Sequence, residues 1–415
     1  MQSIHLARRL AWLACALAAT NAHAADTVKI AFIDVLSGPF ALAGESSLKQ
    51  LREVVLQLNA KSTPAEPKFE VVAFDGKGGP QDSVSALKSA TDQGIRYVTQ
   101  GGGSGVAFAL VDALNKLADR EPEKAMVLLN YAAMDPGLTN DRCSFWHFRF
   151  FPSSTMIVEA LTTYIAKRPD IKKVYLLNQN YTHGQQVAKA SKEYMARKRP
   201  DVQIVGDDYV PIASVRDFAP YIAKIKESGA DTVITSNWGS DLTLLFKSAR
   251  DFGLNINFYT MNANNPGTPT QMGSWGAGKV GLVWNFAPNA PSAELEKISV
   301  AYKQKSNEDF IFGAHWNTMN MLAAAMRQAK SVDAKQVAFA LEGLAYKSPV
   351  GGDVTMRKTD HQLQAPLFLS VWEKAGGKGV KYDAENTGYG FRSEAVWDSY
   401  ISSQPTSCQM KRPAQ

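Results

Sequence analysis

The sequence predicts an α/β protein built from two doubly wound parallel-sheet lobes joined by hinge strands. Two observations carry this. Short runs rich in β-formers alternate with amphipathic helical segments through the first two-thirds of the chain, which implies parallel sheets covered by helices on both faces. The 415 residues also exceed what one hydrophobic core usually holds, so two domains are the default.

The first segment is an address. Arg8 and Arg9 precede an apolar run from Leu10 to Ala19, and Ala22-His23-Ala24 supplies the small-x-small pattern of a signal peptidase site. Residues 1–24 therefore read as a cleaved secretory signal, too short for a stop-transfer helix. After residue 25 no apolar run approaches the ~20 residues of a membrane helix, so the expected location is the periplasm. Cys15 lies inside the apolar core of the signal, too early for a lipid-anchoring box. That leaves Cys143 and Cys408, and an even pair in an oxidising compartment predicts one disulfide. Two unpaired buried thiols are the alternative.

Val28–Asp34 reads as a buried strand that runs through Ser37-Gly38-Pro39 into a helix. Leu48, Leu51, Val54, Val55 and Leu58 form one stripe of that helix. Further strands are expected at Phe69–Phe74, Tyr97–Gln100, Ala125–Leu129, Val174–Asn178, Val202–Val205 and Thr232–Ser236. Phe218, Tyr221, Ile222 and Ile225 mark another helix, as do Leu242, Leu245, Phe246 and Ala249. No low-complexity tract separates the lobes. The crossings are therefore expected to be short ordered strands near Phe148–Phe150, Val283–Phe286 and Leu363–Pro366. This places residues 25–148 plus 286–363 in an N-terminal lobe and 149–285 plus 364–415 in a C-terminal lobe. Ligands of open α/β sheets bind beyond the carboxyl ends of the strands, so the cleft between two such lobes collects loops from both, and hinged closure around a solute follows.

Several function classes are disfavoured. The formal net charge of +6 falls to +4 without Arg8 and Arg9, and the remaining Lys and Arg are scattered rather than gathered into a nucleic-acid stripe. The densest run, Arg197-Lys198-Arg199, sits at a helix end, where it suits the macrodipole. Enzyme signatures come close and fail. A Gly-x-Ser-x-Gly elbow starting at Gly102 would need glycine at Val106, which also breaks Gly-x-Gly-x-x-Gly. Gly273–Lys279 approaches a phosphate loop, but Val280 replaces the hydroxyl residue that would hold magnesium. The histidines are dispersed and no metal-ligand spacing occurs. No catalysis, metal or cofactor is expected.

Gly101-Gly102-Gly103-Ser104-Gly105 makes better sense as a binding loop. It follows the strand at Tyr97–Gln100 and precedes a helix from about Val106 to Leu117. Bare amides and the Ser104 hydroxyl at a helix start suit an anion such as a carboxylate. A plain tight turn would also use glycine, though four exceed what a turn requires.

Taken with Ser37-Gly38-Pro39, Gly44 and this loop, four further segments carry a resemblance: Asn130 to Thr139, Phe148-Arg149, Asn180-Tyr181 with Gly184, and Ser248 to Leu254. In their order and spacing the chain resembles the branched-chain amino acid (Leu/Ile/Val-binding) subfamily of type I periplasmic binding proteins. The resemblance implies a solute receptor that delivers a small molecule to an ABC permease, works as a monomer and needs no cofactor. The alternative is a ligand-sensing receptor domain for amides or amino acids.

Carried over residue by residue, the carboxylate-binding serine falls on Ser104, next to Gly103, and the carbonyl that accepts from an ammonium falls on Ala132. The second-lobe aromatic falls on Trp238. The threonine that serves both ends of an amino acid falls on Met134, and the acidic ammonium partner falls near Asn262. The first-loop tyrosine falls on Ala43, with Phe40 nearby. A zwitterion in a dry cleft needs a counter-charge for its ammonium, because burying an unpaired charge costs several kcal/mol. Met134 and Asn262 supply none, whereas Phe40, Tyr131, Met134, Tyr181 and Trp238 would wall an apolar body, with about half of the aromatics expected in the core. Asp135 either restores the charge or caps the turn at Pro136-Gly137. The balance favours a small organic acid over an ordinary amino acid.

Overall fold

The computed structural model describes residues 27–414 except Pro291, Gly351 and Lys378. The expected signal at 1–24 lies outside the described residues. The chain begins with β1 (Thr27–Asp34), whose Ile30, Phe32 and Ile33 are fully buried. Next come α1 (Ala41–Lys61), β2 (Lys68–Asp75), α2 (Pro80–Asp92), β3 (Tyr97–Gln100), α3 (Ser104–Arg120), β4 (Val127–Asn130) and β5 (His147–Arg149). The five strands form one parallel sheet in the order β2-β1-β3-β4-β5, with Ile30 paired to Val71 on one side and Tyr97 on the other. Leu48, Leu51, Val54 and Val55 of the α1 stripe are buried.

The chain then builds a second sheet. α4 (Ser154–Ile165) is followed by β6 (Lys173–Gln179), α5 (Thr182–Lys198), β7 (Gln203–Val210), α6 (Ala219–Glu227), β8 (Thr232–Thr235), α7 (Ser240–Asp251), β9 (Asn257–Thr260), α8 (Thr268–Met272) and β10 (Val280–Trp284). Val283 and Trp284 belong to β10, so the chain leaves this sheet only after them. α9 (Ala293–Ser306), α10 (Gly313–Ala329) and α11 (Ala334–Leu341) follow, and α10 packs on α1. β11 (Ala345–Ser348), β12 (Gly352–Met356) and β13 (Leu363–Gln364) make a small antiparallel sheet. β14 (Leu367–Lys374) and β15 (Tyr389–Trp397) return to the second sheet, whose order is β15-β14-β10-β9-β8-β6-β7.

The fold class is the expected one, with one correction to its all-parallel lobes. β14 runs antiparallel to both β10 and β15. Chain that re-enters a sheet from a crossing and turns back without a covering helix can only pair antiparallel. The division into lobes at 148/149, 285/286 and 363/364 remains a proposal.

Two crossings are knotted together by Arg149, which is fully buried. Its Nε donates to Gln362 Oε1 at 2.6 Å and its Nη1 to the Asp135 carbonyl at 2.6 Å, while Nη2 reaches Thr139 Oγ1. Gln362 Nε2 in turn donates to the Phe151 carbonyl at 3.0 Å. Burial pulls the guanidinium down to about 10, which still leaves it charged at neutral pH.

The tail beyond Ser402 runs back to elements that follow and flank the first sheet. Thr406 Oγ1 donates to the Thr139 carbonyl at 2.7 Å, and Lys411 pairs with Asp119 at 2.7 Å. Cys143 and Cys408 form a disulfide, with Cα atoms 5.6 Å apart. The closed loop spans a separation of 265 residues, for which chain entropy sets an upper figure of about 5 kcal/mol. The working effect is smaller because the tail can fray locally. Alkylation without reductant should therefore find no free thiol at these positions, and Cys408→Ser should lower the melting temperature by a few degrees and expose residues after about 399 to protease, with solute binding retained. Two alkylated thiols in unreduced protein would refute the bridge.

All four histidines among the described residues are buried. Burial lowers His183 to about 4 and His315 to about 3, holds His147 well below the usual imidazole range and lowers His361. Below about pH 6.5 the unfolded chain binds protons that the folded chain refuses, so this contribution to stability is complete above that value and is lost as pH falls toward 4. Asp34 and Asp241, raised by burial, act in the opposite sense with fewer groups. The unfolding free energy from urea melts should drop between pH 7 and pH 5, by up to about 1.4 kcal/mol per pH unit for each proton taken up; a flat profile would show that the rings do not stay neutral.

Candidate ligand-binding site

The cleft is organised around a carboxylate. Asp34 ends β1 and is 3% exposed. Its oxygens accept from the Val35 amide at 2.8 Å, the Gly101 amide at 2.9 Å, the Gly102 amide at 3.0 Å and the Tyr131 hydroxyl at 2.7 Å. Burial pushes the carboxyl above its usual range, against the pull of these four bonds. A Cβ on Gly102 would stand 2.0 Å from Asp34 Oδ1, and one on Gly101 would stand 2.6 Å from the Tyr131 ring. Close approach, rather than a waiting anion, explains these two glycines. The expectation of a fully bare amide loop is corrected accordingly: the Gly101 and Gly102 amides are already taken by Asp34.

Gly103 turns the chain into α3 at φ +106°, a conformation that favours glycine. Ser104 opens the helix and is buried. Its hydroxyl oxygen accepts from the Asp135 amide at 3.2 Å, which leaves its proton to donate. The Asp135 carboxylate accepts from the Gly137 amide at 2.9 Å and caps the Pro136–Thr139 turn. It makes the turn-capping bond of the two alternatives and is not among the residues that line the cleft.

Ala132, Tyr131 and Met134, from the loop after β4, share the cleft with Gly103 and Ser104. Tyr181, Trp238 and Asn262 come to it from the ends of β6, β8 and β9. The Trp238 indole donates to the Tyr181 hydroxyl at 3.1 Å. Asn262 turns its amide nitrogen to the Ser236 and Asn237 carbonyls at 3.2 Å each, bracing the loop after β8. Phe40 is not part of the lining; its ring stacks on Trp238 with centroids 4.1 Å apart, joining the start of α1 to the second sheet's loops. Sequence reasoning missed Asp34, His183, Asn265, Trp284 and Phe312, which also line the cleft. An aspartate closing the first strand was the available signal for Asp34; the others carry none.

The helix starts show a pattern. Outside the cleft, α4, α9 and α11 are capped by the side chains of Ser153, Ser292 and Asp333, and α2, α6 and α8 carry proline as their first or second residue. The helices that have neither are α1, α3, α5, α7 and α10. Their preceding residues are Phe40, Gly103, Tyr181, Gly239 and Phe312, all in the cleft lining or adjoining Trp238. Three of these residues, Gly103, Tyr181 and Phe312, line a cavity whose lining contains no lysine or arginine, and Phe40 and Gly239 adjoin it at Trp238. Among the described residues no cluster of His, Cys, Asp or Glu could hold a metal ion.

A family model described as periplasmic binding protein matches residues 27–378. The chain belongs to the periplasmic binding protein family. A curated relative from Brucella melitensis, a Leu/Ile/Val-binding protein homolog 4, is 28% identical over 424 residues and 99% of each chain. A solved leucine-, isoleucine-, valine-, threonine- and alanine-binding protein from Brucella ovis, in a closed conformation, is 27% identical with a TM-score of 0.80, covering 94% of this chain and 100% of that one. A solute-binding protein of an ABC transporter from Rhodopseudomonas palustris BisB5, solved with 3,4-dihydroxybenzoic acid, shares the fold at 18% identity and TM-score 0.76, covering 90% and 98%.

In this periplasmic binding protein, Gly102→Ala should cost about 2–4 kcal/mol, because the new methyl cannot coexist with the buried carboxylate it meets. Gly105→Ala has open space around its Cβ and should be neutral or slightly stabilising. Urea melts of the two variants check both; equal stabilities would show that Asp34 gives way freely.

Proposed function

We propose that this protein is the periplasmic solute receptor of an ABC importer and that its lobes close on a small monocarboxylic acid with an apolar or aromatic body. The observation that carries the reading is a cleft without a basic side chain lined by the starting residues of three helices that lack a side-chain cap, Gly103, Tyr181 and Phe312. Such a site favours an anion held by backbone N–H groups, and the Ser104 hydroxyl lies at one of those starts. Tyr131, Met134, Tyr181, Trp238 and Phe312 offer the apolar walls.

A branched-chain amino acid fits less well. Its ammonium would need an acceptor with charge, and Asp34 already takes four hydrogen bonds. Asp135 is committed to its turn, and Met134 and Asn262 are uncharged. Relatives named for leucine, isoleucine and valine and structural neighbours solved with aromatic acids span both chemistries; the residues of this cleft favour the second.

Calorimetry against leucine, isovalerate, benzoate and 4-hydroxybenzoate tests the assignment. An acid without an ammonium should bind well and leucine poorly, and Ser104→Ala should weaken the acid roughly ten- to hundred-fold through loss of a bond to a charged group. Sub-micromolar leucine binding, or an acid indifferent to Ser104→Ala, would overturn it.

A further inference from the structure

We propose that His183, together with Asn265, reads a neutral hydrogen-bonding group on the solute, a hydroxyl above all, at the part of the cleft supplied by the second sheet. The inference rests on the carboxylate reading above and adds the second half of the ligand.

His183 is the second residue of α5 and is 2% exposed, yet it lines the cleft. Neither ring nitrogen has a partner within the protein. Asn265, 5% exposed, lines the same cleft, and its side-chain oxygen is equally unpartnered. Its backbone is held on both sides, by its amide to the Asn262 carbonyl at 3.0 Å and by its carbonyl from the Thr268 amide at 3.0 Å. Buried polar groups are almost always paired, and those left unpaired where a ligand is received mark what the ligand brings.

The inventory then narrows the chemistry. A buried imidazole that stays neutral offers one donor and one acceptor, and Asn265 Oδ1 offers an acceptor. A hydroxyl can accept from the ring N–H and donate to Asn265, or donate to the bare ring nitrogen in the other orientation. A second carboxylate could not donate, an ammonium could not accept, and an alkyl group would leave all three atoms unpaired. A primary carboxamide satisfies the same set at greater bulk. Sites built to hydrogen-bond a hydroxyl discriminate strongly against the analogue that lacks it, because their own polar atoms are then stranded.

The test uses matched pairs: benzoate against 2-, 3- and 4-hydroxybenzoate, phenylacetate against its ring-hydroxylated forms, and isovalerate against 2-hydroxyisovalerate. Calorimetry at pH 7 on the full mature chain should show at least one hydroxylated member binding tenfold or more tightly than its parent. His183→Leu should cut the ratio of hydroxylated to parent affinity below threefold, and His183→Gln, which keeps a donor and an acceptor, should retain it. Asn265→Leu gives a second reading should His183→Leu fail to fold. Parents binding as tightly as every hydroxylated partner, or a preference that survives both leucine variants, would overturn this inference alone. Failure of every acid in all pairs would overturn the carboxylate reading and the inference with it.

Discussion

A carboxylate buried at the end of the first strand sets the terms for everything around it. Asp34 can lose water only if donors replace it, and the donors come from the next residue and from the loops that follow β3, its neighbour in the sheet, and β4, one strand further out. That requirement forces glycine at 102, brings Gly101 against the Tyr131 ring and fixes the ring's direction. Tyr131 then packs against His315 at 4.4 Å between centroids and edge-on to Phe312 at 5.7 Å. His315 bonds Ser47 of α1 at 2.8 Å. One ionisable group thus ties β1, two loops, α1 and α10 into the wall of the cleft. Stranding any of its partners would cost about 1–3 kcal/mol.

The second sheet repeats the device. Asp241 lies in the first turn of α7, fully buried, and is held by Gln179 Nε2 at 2.6 Å and the Ala213 amide at 2.9 Å. Each sheet therefore contributes one internal carboxylate near the uncapped helix starts, and each offsets part of the positive potential there. The starts of α3 and α5 carry no acidic residue in their first turn. Four neutral donors already dress Asp34, so its charge is met within the protein.

The alternation of strands and helices was legible because it rests on local periodicity. β3 falls on Tyr97–Gln100 as expected, and Val174–Asn178 lies inside β6. β7 runs to Val210, past the expected end at Val205, because Gly206, Asp207 and Asp208 on a half-exposed edge strand break the apolar pattern. The antiparallel β14–β15 pair was not legible, since periodicity carries no strand order. At the site, Ser104, Tyr181 and Trp238 could be placed by topology alone, each lying just beyond the carboxyl end of a strand. The role of Asp34 could not, for three of its four donors lie 67 to 97 residues away. The glycine run shows the limit most clearly: the residues were correctly placed at the cleft, while their reason lies in an aspartate and a tyrosine that only the fold brings close.

Arg149 joins this cleft to the crossings between the sheets. Its side chain holds the Asp135 carbonyl and Gln362, while the Asp135 amide bonds the Ser104 hydroxyl oxygen. A buried cation satisfied by a carbonyl, an amide and a hydroxyl has lost its water without gaining a direct carboxylate, so each of those contacts is costly to break. The crossings at Arg149 and Gln362 must therefore move as one body with the Pro136–Thr139 turn. The next residues are tied to the same body, since the Phe150 amide donates to the Asn130 carbonyl at 2.8 Å, the Phe151 carbonyl accepts from Gln362 at 3.0 Å and the Ser154 amide donates to the Met134 carbonyl at 2.8 Å. Ser104 is thus joined to Gln362 by three hydrogen bonds, by way of Asp135 and Arg149, so that this edge of the cleft and the crossings share one frame.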